Sequence, residues 1–244
     1  MMIEDFYKEK LSWNERISDI IGKSHSHIDN FILDRNPKIS FTEYDKIDIA
    51  KIYTADEEVR IDTRPYDEYY QCVKETFNLD QINTFCDVGC ATGHLVHNML
   101  NECDSCGIEN FQYHKDNASE DVKDCINIFD IRDKIEEDIS FDLVNCTEVA
   151  EHVDPKFLDI FLDNIKKITK QYLILTWSSV YPDHVEAPPQ HVSCLYFDDV
   201  KKLMDGWGFE FDEEKTEVFL KASSQYNNFY GHWRESMSIW KVKK

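Results

Sequence analysis

From residue 66 onward, apolar positions alternate between short continuous runs and stretches with helical spacing. The pattern predicts a helix over 66–77, a strand over 82–88, a helix over 94–102 and a short strand ending at Gly107-Ile108-Glu109. Strands follow at 125–129 and 141–146, separated by a helical turn over 132–136. Phe157, Phe161, Ile165 and Ile168 share one face of a helix over 155–168, and Pro155 sits near its first turn, where no N–H is needed. A buried strand over 172–177 comes next. Beyond a Pro-containing loop, a helix over 197–207 stops at Gly208, followed by strands over 209–211 and 237–242.

Strands alternating with helices indicate an α/β architecture of Rossmann-like type, a mostly parallel sheet covered on both faces. No crossover helix is evident between the last two strands, so an antiparallel last strand is expected. In such a sheet the ligand crevice lies beyond the carboxyl ends of the strands, near the point where strand order reverses. Residues 1–62 are polar and rich in His and Asp, with a short amphipathic stretch at 13–21. They read as an N-terminal helical extension or cap, or else a loosely packed tail, on a domain spanning 63–244.

Hydrophobic residues make up 42% of the 244 and aromatics 13%, enough apolar material for a packed core. The 48 acidic and 27 basic residues give a formal net charge of -21. Gripping a phosphate backbone requires a basic surface, so this balance speaks against a large nucleic-acid interface and against adhesion to an anionic membrane. The charged N-terminus lacks the apolar core of a signal peptide, and no apolar run reaches the roughly 20 residues of a membrane span. A cytoplasmic protein is expected. Its eight cysteines lie partly in apolar strand-like runs and read as reduced thiols; Cys103-x-x-Cys106 lacks a second pair at zinc spacing.

The strongest motif is Phe85-Cys86-Asp87-Val88-Gly89-Cys90-Ala91-Thr92-Gly93. A buried strand entering a tight turn and then a helix needs small residues, here Gly89, Ala91 and Gly93, so that backbone can approach a ligand. Glu109, 20 residues after Gly89 at the end of the next strand, is placed to accept hydrogen bonds from ribose hydroxyls. Asp130, after the third strand, is placed to accept one from an adenine amino group. His94 stands where a dinucleotide-binding turn prefers glycine, which counts against a pyrophosphate. Tyr70-x-x-x-Lys74 has the spacing of a short-chain dehydrogenase pair but precedes the first strand, so it is read as chance.

On these residues the stretch 63–244 resembles the class I S-adenosylmethionine-dependent methyltransferases. The resemblance implies their Rossmann-like fold and S-adenosylmethionine as cofactor. Gly89 and Gly93 would line its methionine part, Glu109 hold the ribose and Asp130 meet the adenine; Asp87 would lie near the amino-acid end. Cys90, Ala91, Ile131 and Asn145 complete the expected lining. Ala91 departs from the glycine many members carry. Arg64 or Tyr66 would reach the cofactor carboxylate, unless they only form a turn at the domain boundary.

Thr147-Glu148-Val149-Ala150-Glu151-His152-Val153 follows the strand over 141–146. As a helical turn it would bring Glu148, Glu151 and His152 to one face by i, i+3, i+4 spacing. One reading is structural, with an acid serving backbone amides and no metal. The other has Glu148, Glu151, His152 and His191 holding Mg²⁺ or another divalent cation against two sugar hydroxyls. The Glu-x-x-Glu-His arrangement is similar to that of ubiquinone-biosynthesis and small-RNA terminal 2′-O-methyltransferases, and many relatives carry it without metal. Without metal, His152 or His191 is the expected general base, with His184 in reserve. The loop 181–191 and the aromatics Tyr226, Phe229, Tyr230, His232 and Trp233 would flank the acceptor or finish the core. The stretch from Gln190 to Val242 looks loosely like methyltransferases of glycan-assembly gene sets and large viruses. The expectation is an O-methyltransferase acting on a sugar hydroxyl of a glycan or glycoconjugate, giving S-adenosylhomocysteine and a methyl ether. An RNA 2′-O-methyltransferase, a ubiquinone-type small-molecule enzyme and a non-catalytic cofactor-binding protein stand as alternatives.

Overall fold

The computed structural model describes residues 66–178, 193–226 and 236–244. Helix α1 (Tyr66–Thr76) buries Tyr69, Cys72 and Val73, the inward stripe of a surface helix. Strands β1 (Thr84–Val88), β2 (Asp104–Glu109), β3 (Ile126–Ile128), β4 (Phe141–Cys146), β5 (Thr169–Thr176), β6 (Phe209–Phe211) and β7 (Met237–Val242) form one sheet, ordered β3-β2-β1-β4-β5-β7-β6. Neighbours from β3 through β5 are parallel, and β7 runs antiparallel between β5 and β6. The central strands are buried along most of their length because both faces are covered; in β4 every residue after Phe141 is buried.

Helices α2 (His94–Met99), α3 (Gln112–Asp116), α4 (Leu158–Ile168), α5 (Phe197–Gly206) and α6 (Glu213–Ser223) complete the described α-helices. On one face, Phe161, Leu162 and Ile165 of α4 and Leu203 and Met204 of α5 pack with Val144, Leu173 and Trp240. On the other, α1, α2 and α6 bring Tyr69, Leu95, Met99 and Phe219 against Phe85, Leu143 and Ile174. The carboxyl ends of β1, β2 and β4 therefore open at one rim between two fixed layers. No helix of the described residues is long and apolar enough to cross a membrane.

Two elements differ from the sequence reading. Residues 132–136 are not helical: a turn follows β3, and buried Asn164 of α4 ties it down. Asn164 accepts from the Ile135 amide at 3.0 Å and donates to the Ile131 and Asp133 carbonyls at 2.9 and 2.6 Å. These bonds satisfy the backbone that a helix would have satisfied itself. A helix, α6, does stand between β6 and β7, begun by Asp212, whose side chain accepts from the Lys215 amide. The N-terminal extension and Arg64 lie outside the described residues.

Candidate cofactor and acceptor site

The chain leaves β1 through a turn whose positions 89, 91 and 93 all take left-handed backbone, with φ of 74°, 49° and 79°. The amides of Gly89 and Cys90 donate to the Ile108 carbonyl at 2.8 and 3.2 Å, binding the turn to the end of β2. A Cβ at Gly89 would lie 2.4 Å from Val149 Cγ2, so the segment after β4 presses directly on the turn. Gly107 of β2 is needed for the same reason, since a Cβ there would lie 2.3 Å from Cys90 Sγ.

Glu109 ends β2, buried. Its Oε2 accepts from the Ala91 amide at 2.9 Å and its Oε1 from the Asn110 and Phe111 amides at 3.0 Å each, with His114 Nδ1 3.4 Å away. It thus braces the turn while remaining at the rim, which leaves only its unused lone pairs for a ligand. Asp87, 4% exposed, accepts from Asn145 Nδ2 at 2.7 Å. Burial pushes its carboxyl up to about 7, the Asn145 hydrogen bond opposes the rise and the charge of Glu109 adds to it. Asp130 follows β3 and is gripped by Arg132, whose Nε and Nη2 lie 2.9 and 2.6 Å from its two oxygens. Burial works to raise its pKa, yet the hydrogen bonds and charge of Arg132 leave it below the usual range. Ile131, beside it, is buried.

After β4 the predicted helical face does not form. Glu148 has φ of +57°, which breaks any helix there, and only Ala150–His152 makes a single 3₁₀ turn. The Glu148 amide donates to Thr176 Oγ1 at 2.7 Å, and that hydroxyl returns a 2.9 Å bond to Glu148 Oε1. The last residue of β5 thereby holds an unfavourable backbone conformation in place. Glu151 is fully buried, and among the described residues neither carboxylate oxygen has a side-chain hydrogen-bond partner. Burial holds its pKa far above the ordinary carboxylate range, and Glu148 adds to the rise; nearby amides only partly offset it. His152 is half-buried at the end of the turn.

Among the described residues this geometry gives the metal expectation no support. A hard cation needs several ionised oxygen donors converging on one point. Glu151 is buried with its pKa raised, Glu148 Oε1 accepts from Thr176, and among the described residues no group of three or more His, Cys, Asp or Glu could hold a metal. His184 and His191, and the aromatics Phe229, Tyr230, His232 and Trp233, lie outside the described residues. Tyr226 packs against the core. All eight cysteines are free thiols. Tyr70 and Lys74 both bond Glu102 at the surface, a structural use of that spacing. Sequence reasoning missed Tyr69, Thr176 and Val149, whose roles depend on contacts distant in the chain; only the inward spacing of Tyr69 on its helix offered a signal.

Residues 86–174 match the family model of the methyltransferase domain. The structure is similar to an S-adenosylmethionine-dependent methyltransferase from Clostridium acetobutylicum, with a TM-score of 0.56 and 14% identity over 82% of this chain and 99% of that one. It is also similar to a TehB-like methyltransferase from Corynebacterium glutamicum, with a TM-score of 0.54 and 15% identity over 83% of this chain and 97% of that one. A third similar structure is magnesium protoporphyrin IX methyltransferase from Synechocystis with bound S-adenosylhomocysteine, with a TM-score of 0.50 and 15% identity over 88% and 97%. No curated protein matches the sequence. Strand order, the reversed β7 and the turn after β1 define the class I methyltransferase fold. The central strands thus carry the match to the methyltransferase domain, in a chain whose fold is that of the S-adenosylmethionine-dependent methyltransferases it resembles.

Proposed function

We propose that the protein transfers the methyl group of S-adenosylmethionine to a hydroxyl of a small, sugar-like acceptor, with Glu148 taking the hydroxyl proton. The observation that carries this reading is the contact between Val149 and Gly89. It sets the Glu148 segment against the turn on which the cofactor is expected to rest. The acceptor oxygen forms the new O–CH₃ bond as S–CH₃ breaks; the electron pair returns to sulfur and the proton passes to the Glu148 carboxylate. Methyl transfer needs alignment above all, and a side chain fixed by Thr176 supplies it. Glu151 is less suited to the same task because it is fully buried and burial raises its pKa.

In the cofactor reading, Gly89, Cys90, Ala91 and Gly93 contact the methionine part, Glu109 the ribose, and Asp130 with Ile131 the adenine. Asp87 and Asn145 face the amino-acid end. Carboxylates at the rim accept hydrogen bonds from neutral hydroxyls, and the net charge of -21 disfavours a phosphate-bearing acceptor. Methyl-labelled cofactor offered with a panel of sugars and with short RNA tests the reading. Label should pass to a sugar, and Glu148→Gln should lower kcat about 10²–10⁴-fold while cofactor affinity stays within about twofold. Preferential labelling of RNA, or full turnover by Glu148→Gln, would reject it.

A further inference from the structure

A chain of hydrogen bonds runs from α1 to the end of β1. The Tyr69 hydroxyl donates to Asn145 Oδ1 at 2.6 Å; Asn145 Nδ2 donates to Asp87 Oδ1 at 2.7 Å and to Thr147 Oγ1 at 3.2 Å. Tyr69 and Asn145 are each 1% exposed. A carboxamide has one accepting end and one donating end, and a phenol that donates can meet only the oxygen. Tyr69 therefore fixes which way the amide faces, leaving N–H directed at Asp87. An N–H given to a carboxylate favours the ionised form, whereas a flipped amide would set oxygen against oxygen and favour the acid.

Asp87 is responsive to such a choice, since burial places its titration at about 7. The titratable groups whose electrostatics couple to it are Glu109 from β2, Cys90 from the turn, Cys146 from β4, and Cys86 and Cys106 in the paired strands. Glu109 is the carboxylate that works against ionisation.

We propose that Tyr69 is a positioning residue that acts through Asn145 to keep Asp87 ready to ionise, so that binding the ammonium group at the amino-acid end of S-adenosylmethionine expels a proton from the site. The proposal rests on the cofactor reading above. Calorimetry with S-adenosylmethionine in two buffers of different ionisation enthalpy, at pH values on either side of about 7, tests it. The native protein should release protons on binding, and affinity should fall up to tenfold per pH unit on the acid side. Tyr69→Phe should weaken binding about three- to tenfold near neutrality and move the falling limb to higher pH by about half a unit or more. Asn145→Asp still accepts from Tyr69 but sets a second carboxylate against Asp87, and should move the limb further the same way. A limb that stays put in both variants, or equal weakening at every pH, overturns the proposal. Absence of binding by the native protein at any pH would instead overturn the cofactor reading.

Discussion

At the scale of single residues, the turn after β1 carries its cost in one place. Ala91 sits at φ of 49°, where an L-residue is disfavoured by about 1–2 kcal/mol. Ala91→Gly removes that cost but enlarges the unfolded ensemble by about 0.4–1 kcal/mol. The net expectation is a gain of about 0–1.6 kcal/mol, read as a shift in the denaturant midpoint. Gly89→Ala goes the other way, because its Cβ would collide with Val149; about 2–3 kcal/mol should be lost, together with the heat of cofactor binding. Asp87 gives a sign that geometry alone would not. Its folded pKa, about 7, lies above the unfolded value, so the folded state binds the extra proton and stability declines as pH rises toward 7. Asp87→Asn should therefore stabilise the cofactor-free protein at alkaline pH, by a few kcal/mol at most, with little effect below about pH 4. Equal stability of the two proteins at pH above about 8 would contradict this assignment.

At the scale of elements, Asp142 fastens the amino-terminal edges of β1, β4 and β5. It accepts from the Asn83 amide at 2.9 Å and from Gln171 and Lys170 at 2.8 Å each. Burial alone would raise its pKa, but Lys170, the Asn83 amide and Gln171 hold it far below the usual range. This stability is present above the unfolded pKa and lost as pH falls through and below it. Asp142→Asn should cost about 1–3 kcal/mol at neutral pH and flatten the acid limb of the unfolding curve. The same segment shows how far sequence can be read. Strands β4, β6 and β7 were legible because their apolar runs are short and sharply bounded. Strand β5 starts earlier than its apolar run, since Thr169 pairs across a register shift with Phe141. Helix α6 was hidden by its charge-rich first half, Glu213-Glu214-Lys215, and by a cap recognisable only once its partner amide is known. The placement of Gly89 in a tight turn and of Glu109 at a strand end was legible because strand ends and tight turns are local facts. The pairing of Glu148 and Glu151 by helical spacing failed because one positive φ cancels that spacing. Tyr69 and Asn145, 76 residues apart, meet only through packing.

Over the whole molecule, the excess of acidic residues sets a load that individual ion pairs cannot lift. The described pairs include exposed ones such as Lys134 with Glu136 and Lys241 with Glu210, each worth about 0–1 kcal/mol and screened by salt. A formal charge of -21 repels itself over distances longer than any of these contacts. Screening acts on both, but the Debye length shrinks from about 30 Å at 0.01 M to about 8 Å at 0.15 M, which removes the long-range repulsion first. Added salt should therefore raise the melting temperature, by about 2–4 °C for each kcal/mol recovered in a chain of this size. Measured between low salt and physiological ionic strength, a flat or falling Tm would mean that local pairs dominate. The same charge bears on the acceptor: a polyanion should gain affinity as salt screens the repulsion, whereas an uncharged sugar should bind with little salt dependence. Acceptor KM measured across that salt range thus separates a neutral acceptor from a phosphate-bearing one, whichever molecule of either kind is used.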